Sequence, residues 1–358
     1  LVWNAIIIAA LVVLKPLFHG PDQLYAYAIG VLLGTVVQLL MALPVLGRID
    51  FRLTLAFDLR DPRVKRVFVL MLPVTIGLGV INFDLVINSS LGTLVSDQAP
   101  SAIDAAFRIY MLPQGMFSVA LATVLFPTLS RFAARGDYDG LRATMSVGVR
   151  QIFLLLVPAA VYTLVLATPI TRLIYQRGTF DASSTDLVST ALFWFSFSLP
   201  FAGANLLLTR TFFSLQRPWA PTGRAAGHLV VNAIVSLALY KPFGVAGLVI
   251  GTAVASAGMT LGQAYVLRRL LHGSLEGAAM VAALMRIGVA AALLGVVSYA
   301  TWWAVDQLVG RSLAGQVLSV GSAAVTGAVV YGAAVLALRV REAEQIQRLV
   351  RDRVRRRP

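Results

Sequence analysis

One cation stands inside a stretch that is otherwise apolar enough to cross a bilayer. Arg108 lies in the segment 103–127, and Asp104 precedes it by four residues on the same helical face. A charge at the centre of a spanning helix costs about 2.5–3.5 kcal/mol, so an arginine there normally faces a polar interior. Two interpretations are open: an ion pair that reaches the membrane surface, or a cation that binds an anion such as phosphate.

Oxygen-bearing side chains in other apolar segments form a second candidate site. They are Asp84, Asn88, Asn232, Ser236 and Thr252. The first four make two pairs with a spacing of four residues, so each pair lies on one helical face. Oxygen ligands from adjacent helices could bind a hard cation such as sodium. The alternative is interhelical hydrogen bonding, which contributes about 0.6 kcal/mol per bond in membrane proteins.

Membrane-spanning helices are the elements that must position these residues. The chain is 58% hydrophobic and 13% charged, with a mean hydropathy of +0.81, whereas soluble domains carry roughly 25% charged residues. We predict an all-α polytopic membrane protein with about ten transmembrane helices, because spans need about 20 apolar residues. The ten segments are 1–18, 24–46, 67–95, 103–130, 146–171, 185–213, 222–240, 244–267, 279–305 and 315–338.

The connections between these segments differ in charge. Of the 30 lysines and arginines, 24 belong to every second connection or to the C-terminal tail, and 5 belong to the remaining connections. This asymmetry predicts that the arginine-rich loops and the C-terminus are cytoplasmic. The net charge of +14 is distributed over these loops, so it does not predict a nucleic-acid-binding face. The tail is expected to contact anionic lipid head groups.

The residue types do not favour catalysis. Cysteine is absent, and the three histidines have no metal-ligand spacing. Within the spans, Asp84 and Asp104 are isolated carboxylates, which make a poor active site. Many spans, with prolines and a few polar residues inside them, are typical of transporters. We therefore predict a transporter without a cofactor.

One helix carries a specific resemblance. The run Arg108-Ile-Tyr-Met-Leu-Pro-Gln-Gly-Met-Phe-Ser-Val-Ala-Leu-Ala-Thr-Val-Leu-Phe-Pro-Thr-Leu-Ser130 resembles the MurJ (MviN) lipid II flippase family of the multidrug/oligosaccharidyl-lipid/polysaccharide exporter superfamily. Further matches are segments 61–73, Tyr175-Gln-Arg-Gly-Thr-Phe180 and 244–252. The resemblance implies a two-lobe fold of fourteen helices, of which this chain would contain helices five to fourteen. The chain is therefore expected to be an N-terminally truncated fragment.

The resemblance and the charge pattern together predict five regions. Residues 1–46 would be the last two helices of the N-terminal lobe, and 47–66 a cytoplasmic amphipathic linker. A six-helix bundle of the C-terminal lobe would follow at 67–267. Two additional helices at 268–338 would form a lipid-tail groove, and 339–358 would be the basic cytoplasmic tail.

The family's activity is the translocation of lipid II, the undecaprenyl-diphosphate-linked peptidoglycan precursor, across the bacterial inner membrane by alternating access. The resemblance implies that Arg108 contacts the diphosphate and that Asp104 is its resting partner. Phe107 and Met111 stand where family members carry Asp and, in some members, Glu. The alternatives are a related exporter of another polyprenyl-linked glycan or a drug, and a non-transporting membrane scaffold for cell-wall enzymes.

Some family members bind sodium, and the matching positions here are Asn88, Asn232, Ser236 and Thr252. Two of the family's anionic ligands are thus neutral, although Asp84 could compensate. Sodium or the membrane potential is the expected energy source. Besides the diphosphate and polyprenyl tail of lipid II, the expected partners are anionic lipids and cell-wall synthesis proteins.

Overall fold

A computed structural model gives the fold and describes residues 2–18, 22–47, 61–178, 180–271 and 277–344. These residues are overwhelmingly helical, which confirms the predicted all-α class. The helices are α1 (Val2–Leu14), α2 (Gln23–Gly47), α3 (Pro62–Thr93), α4 (Ala99–Pro113), α5 (Ala120–Ala134), α6 (Tyr138–Val165), α7 (Ala167–Tyr175), α8 (Ala182–Ser214), α9 (Trp219–Phe243), α10 (Val245–Leu270), α11 (Gly277–Val309) and α12 (Leu313–Ala337). A π-helical segment, Gln114–Val119, joins α4 to α5.

All ten predicted spans fall on helices. In the described part of the chain, seven stretches are long and apolar enough to cross a membrane: Ala99–Ala134, Tyr138–Val165, Ala182–Ser214, Trp219–Phe243, Val245–Leu270, Ala279–Val309 and Leu313–Ala337. The first two predicted spans coincide with α1 and α2, and the third with the 32-residue α3. The predicted span 146–171 contains a break at Leu166 (φ −108°, ψ 25°), which separates α6 from α7.

The chain forms two compact units, Leu1–Lys65 and Arg66–Pro358. In the first unit, α1 and α2 pack as a hairpin around small residues. A Cβ atom on Gly30 would lie 3.0 Å from the Cβ of Ala10, and one on Gly34 would lie 2.9 Å from Trp3. Such close helix packing is typical of glycines in membrane proteins. The finer division into five regions stays a prediction, and most of the linker and tail lies outside the described residues.

In the second unit, α8 is the central helix and packs against α4, α5, α6, α7 and α10. Gly203 on α8 permits this crowding: a Cβ atom there would lie 2.2 Å from Leu156 and 2.6 Å from the Ser118 hydroxyl. Helix α9 pairs with α10, and α11 pairs with α12 and packs against α6. The start of α8 is capped by Asp181, whose carboxylate accepts the Ser184 backbone N–H at 2.8 Å. This hydrogen bond holds the pKa of Asp181 below its ordinary value.

The chain leaves the axis of α12 at the end of this helix. Arg339 adopts a left-handed conformation (φ 52°), and the Val340 N–H donates to the Val335 carbonyl at 3.0 Å. Val340 and Ala343 are buried, and the Arg339 carbonyl accepts a hydrogen bond from Arg286 on α11 at 3.1 Å. The first residues of the predicted basic tail therefore pack onto the helical bundle.

Candidate functional site

The buried face of α4 sets the direction of Arg108. This face packs against α8 and carries four buried side chains, which are Ala102, Ala106, Ile109 and Tyr110. The Tyr110 ring lies 5.4 Å from the ring of Phe195 on α8. Since these residues occupy the core side of the helix, Arg108 lies on its exposed side.

Arg108 and Asp104 lie in direct contact. The Arg108 Nε donates to the Asp104 Oδ2 at 2.9 Å, and the two side chains are 71% and 58% exposed. An exposed pair with this spacing contributes only about 0.3–0.5 kcal/mol to stability. Arg108 lies nine residues, or about 14 Å, along the helix from Ala99. An arginine exposed at that depth on a membrane-spanning helix is expected to face polar surroundings rather than lipid.

Three helices bring the second set of polar residues together. The Asn232 Nδ2 on α9 donates to the Asn88 Oδ1 on α3 at 3.4 Å, and the Asn88 Nδ2 donates to the Thr252 Oγ1 on α10 at 3.5 Å. The Ser236 hydroxyl lies 3.1 Å from both the Asn232 Oδ1 and the Leu248 carbonyl. Asn232 and Ser236 are fully buried. These four neutral side chains form a hydrogen-bonded cluster, which we call the α3–α9–α10 cluster.

The α3–α9–α10 cluster has the chemistry of an interhelical link. Its amide and hydroxyl groups hydrogen-bond one another, and its four members carry no charge. Asp84 belongs to α3, but its side chain lies outside the described residues. Among the residues that are described, no group of three or more His, Cys, Asp or Glu could hold a metal ion. Sodium binding at this position stays a prediction.

Gly251 on α10 faces the α3–α9–α10 cluster, and its substitution tests how closely the cluster is packed. A Cβ atom at this position would lie 2.3 Å from the Ser236 Oγ, 2.7 Å from the Asn232 Oδ1 and 3.0 Å from the Asn232 carbonyl. We expect Gly251→Ala to lower the free energy of unfolding by about 1–3 kcal/mol, because overpacking would displace the hydrogen-bonded side chains. Denaturant or thermal unfolding of the full-length protein in detergent measures this change.

Gly258, on the same helix, is the matched control. No atom lies within 4 Å of a Cβ placed there. Gly258→Ala should be neutral or stabilising by up to about 1 kcal/mol, because alanine has the higher helix propensity. Equal effects of the Gly251 and Gly258 substitutions would contradict the assigned close packing at the cluster.

Two polar contacts were not anticipated from the sequence. Arg150 on α6 forms a buried ion pair with Glu342, which follows α12 and is 192 residues away. The Tyr175 hydroxyl donates to the Ala105 carbonyl at 3.2 Å, in the turn of α4 that carries Asp104. The only sequence signals were a charge near the start of an apolar segment and an acid directly after one. Neither signal identifies a partner.

A further polar link joins α8 to α10. The Asn205 Nδ2 donates to the Ser256 carbonyl at 3.1 Å, and the Thr260 hydroxyl donates to the Asn205 Oδ1 at 2.9 Å. One turn further along, the Gln263 Nε2 donates to the Thr209 hydroxyl at 3.1 Å. These bonds pair both polar atoms of the Asn205 amide and the amide nitrogen of Gln263, whereas the buried Gln263 Oε1 has no hydrogen-bond partner among the described residues. We assign the bonds a structural role.

Comparison with known protein families matches residues 1–314 to the family described as lipid II flippase MurJ. Among curated proteins, the chain is 32% identical over 255 residues to the lipid II flippase MurJ of Burkholderia cenocepacia, covering 70% of this chain and 49% of that protein. It is 28% identical over 314 residues to a probable lipid II flippase MurJ of Vibrio cholerae, covering 85% and 59%. The chain thus spans about half the length of these relatives.

Solved structures show a similar fold. A lipid II flippase MurJ in an inward closed conformation matches with a TM-score of 0.70 and 19% identity, covering 94% of this chain and 66% of that chain. A MATE transporter of Vibrio cholerae matches with a TM-score of 0.57 and 16% identity, covering 75% and 62%. The helical arrangement of this chain therefore resembles that of both structures.

Proposed function

This chain belongs to the lipid II flippase MurJ family, and from that premise we propose that it carries lipid II across the bacterial inner membrane by alternating access. The observation that carries this proposal is the exposed Arg108–Asp104 pair on a membrane-spanning helix. The family is one of lipid flippases, so the proposed activity is transport of a peptidoglycan precursor and not catalysis.

Arg108 is the proposed contact for the diphosphate of lipid II. A diphosphate that crosses hydrocarbon loses its hydration, so it needs cations that replace water around its oxygens. The planar guanidinium offers two parallel N–H donors to phosphate oxygens and makes strong charge-assisted bonds. Asp104 holds Arg108 through one 2.9 Å hydrogen bond before the substrate arrives. The diphosphate then takes the place of this carboxylate, while the polyprenyl tail stays in lipid, in a groove formed by α11 and α12.

The helices and the family indicate a multi-pass protein of the bacterial inner membrane. We propose a cytoplasmic C-terminus. The tail and the connections on the same side of the membrane carry 24 basic residues, whereas the connections on the other side carry 5. Contacts among Arg150, Arg286, Arg339 and Glu342 support this assignment, since they bring three basic residues of the arginine-rich set to one end of the bundle. Anionic lipids and cell-wall synthesis proteins are the proposed partners at this end.

The proposed energy source is the membrane potential. Lipid II carries negative charge out of a negative compartment, and a potential of 100 mV contributes about 2.3 kcal/mol per charge moved outward. Sodium at the α3–α9–α10 cluster is the second candidate. It has less support, because the Asn232 Oδ1 already accepts hydrogen bonds from Ser236 and Thr252. Replacing sodium by potassium in the transport assay separates the two sources.

Rescue of a bacterial strain depleted of its own lipid II flippase tests the proposed function. The full-length protein should restore growth and normal cell shape, and membrane vesicles should gain outward movement of lipid II. A protein that inserts at normal levels but restores neither growth nor movement would overturn the proposal. If that protein instead retained cell-wall enzymes in pull-down experiments, the scaffold interpretation would replace it.

A further inference from the structure

The segment Tyr175–Phe180 lies outside the diphosphate contact that we propose for Arg108. It begins at the last residue of α7 and precedes the Asp181 cap of α8. Residues 175–178 and 180 of this segment are described, and we call them the α7–α8 corner. They lie at the end of the bundle where α4 begins, because Tyr175 contacts Ala105 in that helix.

Backbone hydrogen bonds define the shape of the α7–α8 corner. The Gln176 N–H donates to the Arg172 carbonyl at 3.1 Å, and the Phe180 N–H donates to the Arg177 carbonyl at 3.2 Å. The Arg177 guanidinium donates to the Leu173 carbonyl at 3.0 Å and so satisfies an acceptor at the helix end. Two hydrogen bonds therefore join the corner to α7, and they hold the backbone from which the Tyr175 side chain extends.

Tyr175 connects this corner to the helix that carries Arg108. Its ring packs on Phe180, with 5.8 Å between ring centroids. Its hydroxyl donates to the carbonyl of Ala105, which is one residue after Asp104 and three before Arg108. Burial raises the pKa of Tyr175, while the charges of Arg108 and Asp104 act on it with opposite signs. The hydroxyl thus lies within electrostatic range of the ion pair.

We propose that Tyr175 is a positioning residue for Arg108, and this inference rests on the proposed function. The hydroxyl holds the turn of α4 around Asp104 and Arg108 against α7. An exposed i, i+4 pair constrains its own helix only weakly. The direction from which the guanidinium meets a diphosphate therefore depends on how the whole turn is held, and Tyr175 supplies this support from outside α4.

Tyr175→Phe tests the proposal, because it removes the hydroxyl and keeps the ring that packs on Phe180. In the full-length protein, we expect the Kd for a short-chain polyprenyl diphosphate and the apparent KM for transport to rise by about two- to tenfold, the loss of one hydrogen bond. The turnover at saturating substrate should stay within about twofold. In an Arg108→Ala background, the same substitution should change the Kd by less than about twofold, because the positioned group is gone.

Two other tyrosines provide matched controls. Tyr162 donates to the Val320 carbonyl at 2.8 Å and Tyr331 to the Leu154 carbonyl at 2.6 Å, so each also links two helices through its hydroxyl. Tyr162→Phe and Tyr331→Phe should leave the Kd unchanged. A Kd for Tyr175→Phe equal to that of the unsubstituted protein, or equal shifts in all three variants, would overturn the positioning role. If the unsubstituted protein neither bound nor moved the lipid, the proposed function itself would fail.

Discussion

Replacing Arg108 by alanine should reduce lipid II transport by the full-length protein at least tenfold while leaving its folding intact. Hydrogen bonds to charged groups contribute about 1.5–3 kcal/mol, which corresponds to a loss of about ten- to 150-fold in the binding of a diphosphate. The pair with Asp104 is exposed, so its loss costs the fold only about 0.3–0.5 kcal/mol. Lipid movement in membrane vesicles and unfolding in detergent measure the two effects separately.

A conservative substitution of Arg108 and a control substitution in a second ion pair make this test more specific. Arg108→Lys should recover part of the transport, because lysine keeps the charge but loses the planar fork that matches phosphate oxygens. Arg142→Ala removes another ion pair within one helix, in which Arg142, 26% exposed, contacts the 87% exposed Asp139 on α6 at 2.5 Å. This control should leave transport unchanged. Full transport by the Arg108→Ala protein would remove Arg108 from the mechanism.

Glu342→Ala should destabilise the protein by about 3–5 kcal/mol. The side chains of Arg150 and Glu342 are only 11% and 4% exposed, so the substitution leaves a buried guanidinium without this carboxylate. Removing one partner of a buried ion pair typically has an effect of this size, because the remaining charge keeps its desolvation penalty. Denaturant unfolding of the purified full-length protein in detergent measures the loss.

Two further variants show whether the loss of stability comes from the burial of the Arg150–Glu342 pair or simply from the removal of a charge. Replacing both members together, Arg150→Met with Glu342→Leu, should be close to neutral, because both buried charges are then removed. Asp139→Ala breaks an ion pair on the same helix α6, but the Asp139 side chain is 87% exposed, so the loss should stay below about 1 kcal/mol. Similar losses for Glu342→Ala and Asp139→Ala would show that the Arg150–Glu342 pair is not desolvated as the structure indicates.

The helices themselves follow from the sequence, since a bilayer requires about 20 apolar residues per span. Their ends do not, because local capping sets them. Helix α6 begins at Tyr138, eight residues before the predicted span, because the Asp137 carboxylate caps it by accepting the Gly140 N–H at 2.8 Å. The predicted span 146–171 also runs through the division between α6 and α7 at Leu166, although Pro169 lies three residues beyond it and cannot donate a backbone hydrogen bond to the Val165 carbonyl.

The candidate sites differ in how far the sequence predicts them. The contact between Arg108 and Asp104 follows from a four-residue spacing on one helix. The spacing of Asn232 and Ser236 likewise places them on one face, but their meeting with Asn88 depends on how three helices pack. The pairing of Arg150 with Glu342 depends on the left-handed conformation of Arg339 that ends α12, which a single sequence does not reveal.

The π-helical segment Gln114–Val119 affects the direction in which Arg108 points around the helix axis. Each residue of an α-helix turns the chain by about 100°, and the wider hydrogen-bonded ring of a π-helix accommodates additional residues per turn. The segment therefore absorbs one extra residue: deleting one residue from it restores regular α-helical hydrogen bonding and keeps the direction of Arg108 relative to the buried Leu129 beyond it. Deleting one residue from the regular α-helix between Arg108 and Leu129 would instead turn Arg108 by about 100°. The direction of the cation is therefore encoded by the number of residues in the regular helix, although every neighbour of Arg108 in sequence can stay the same.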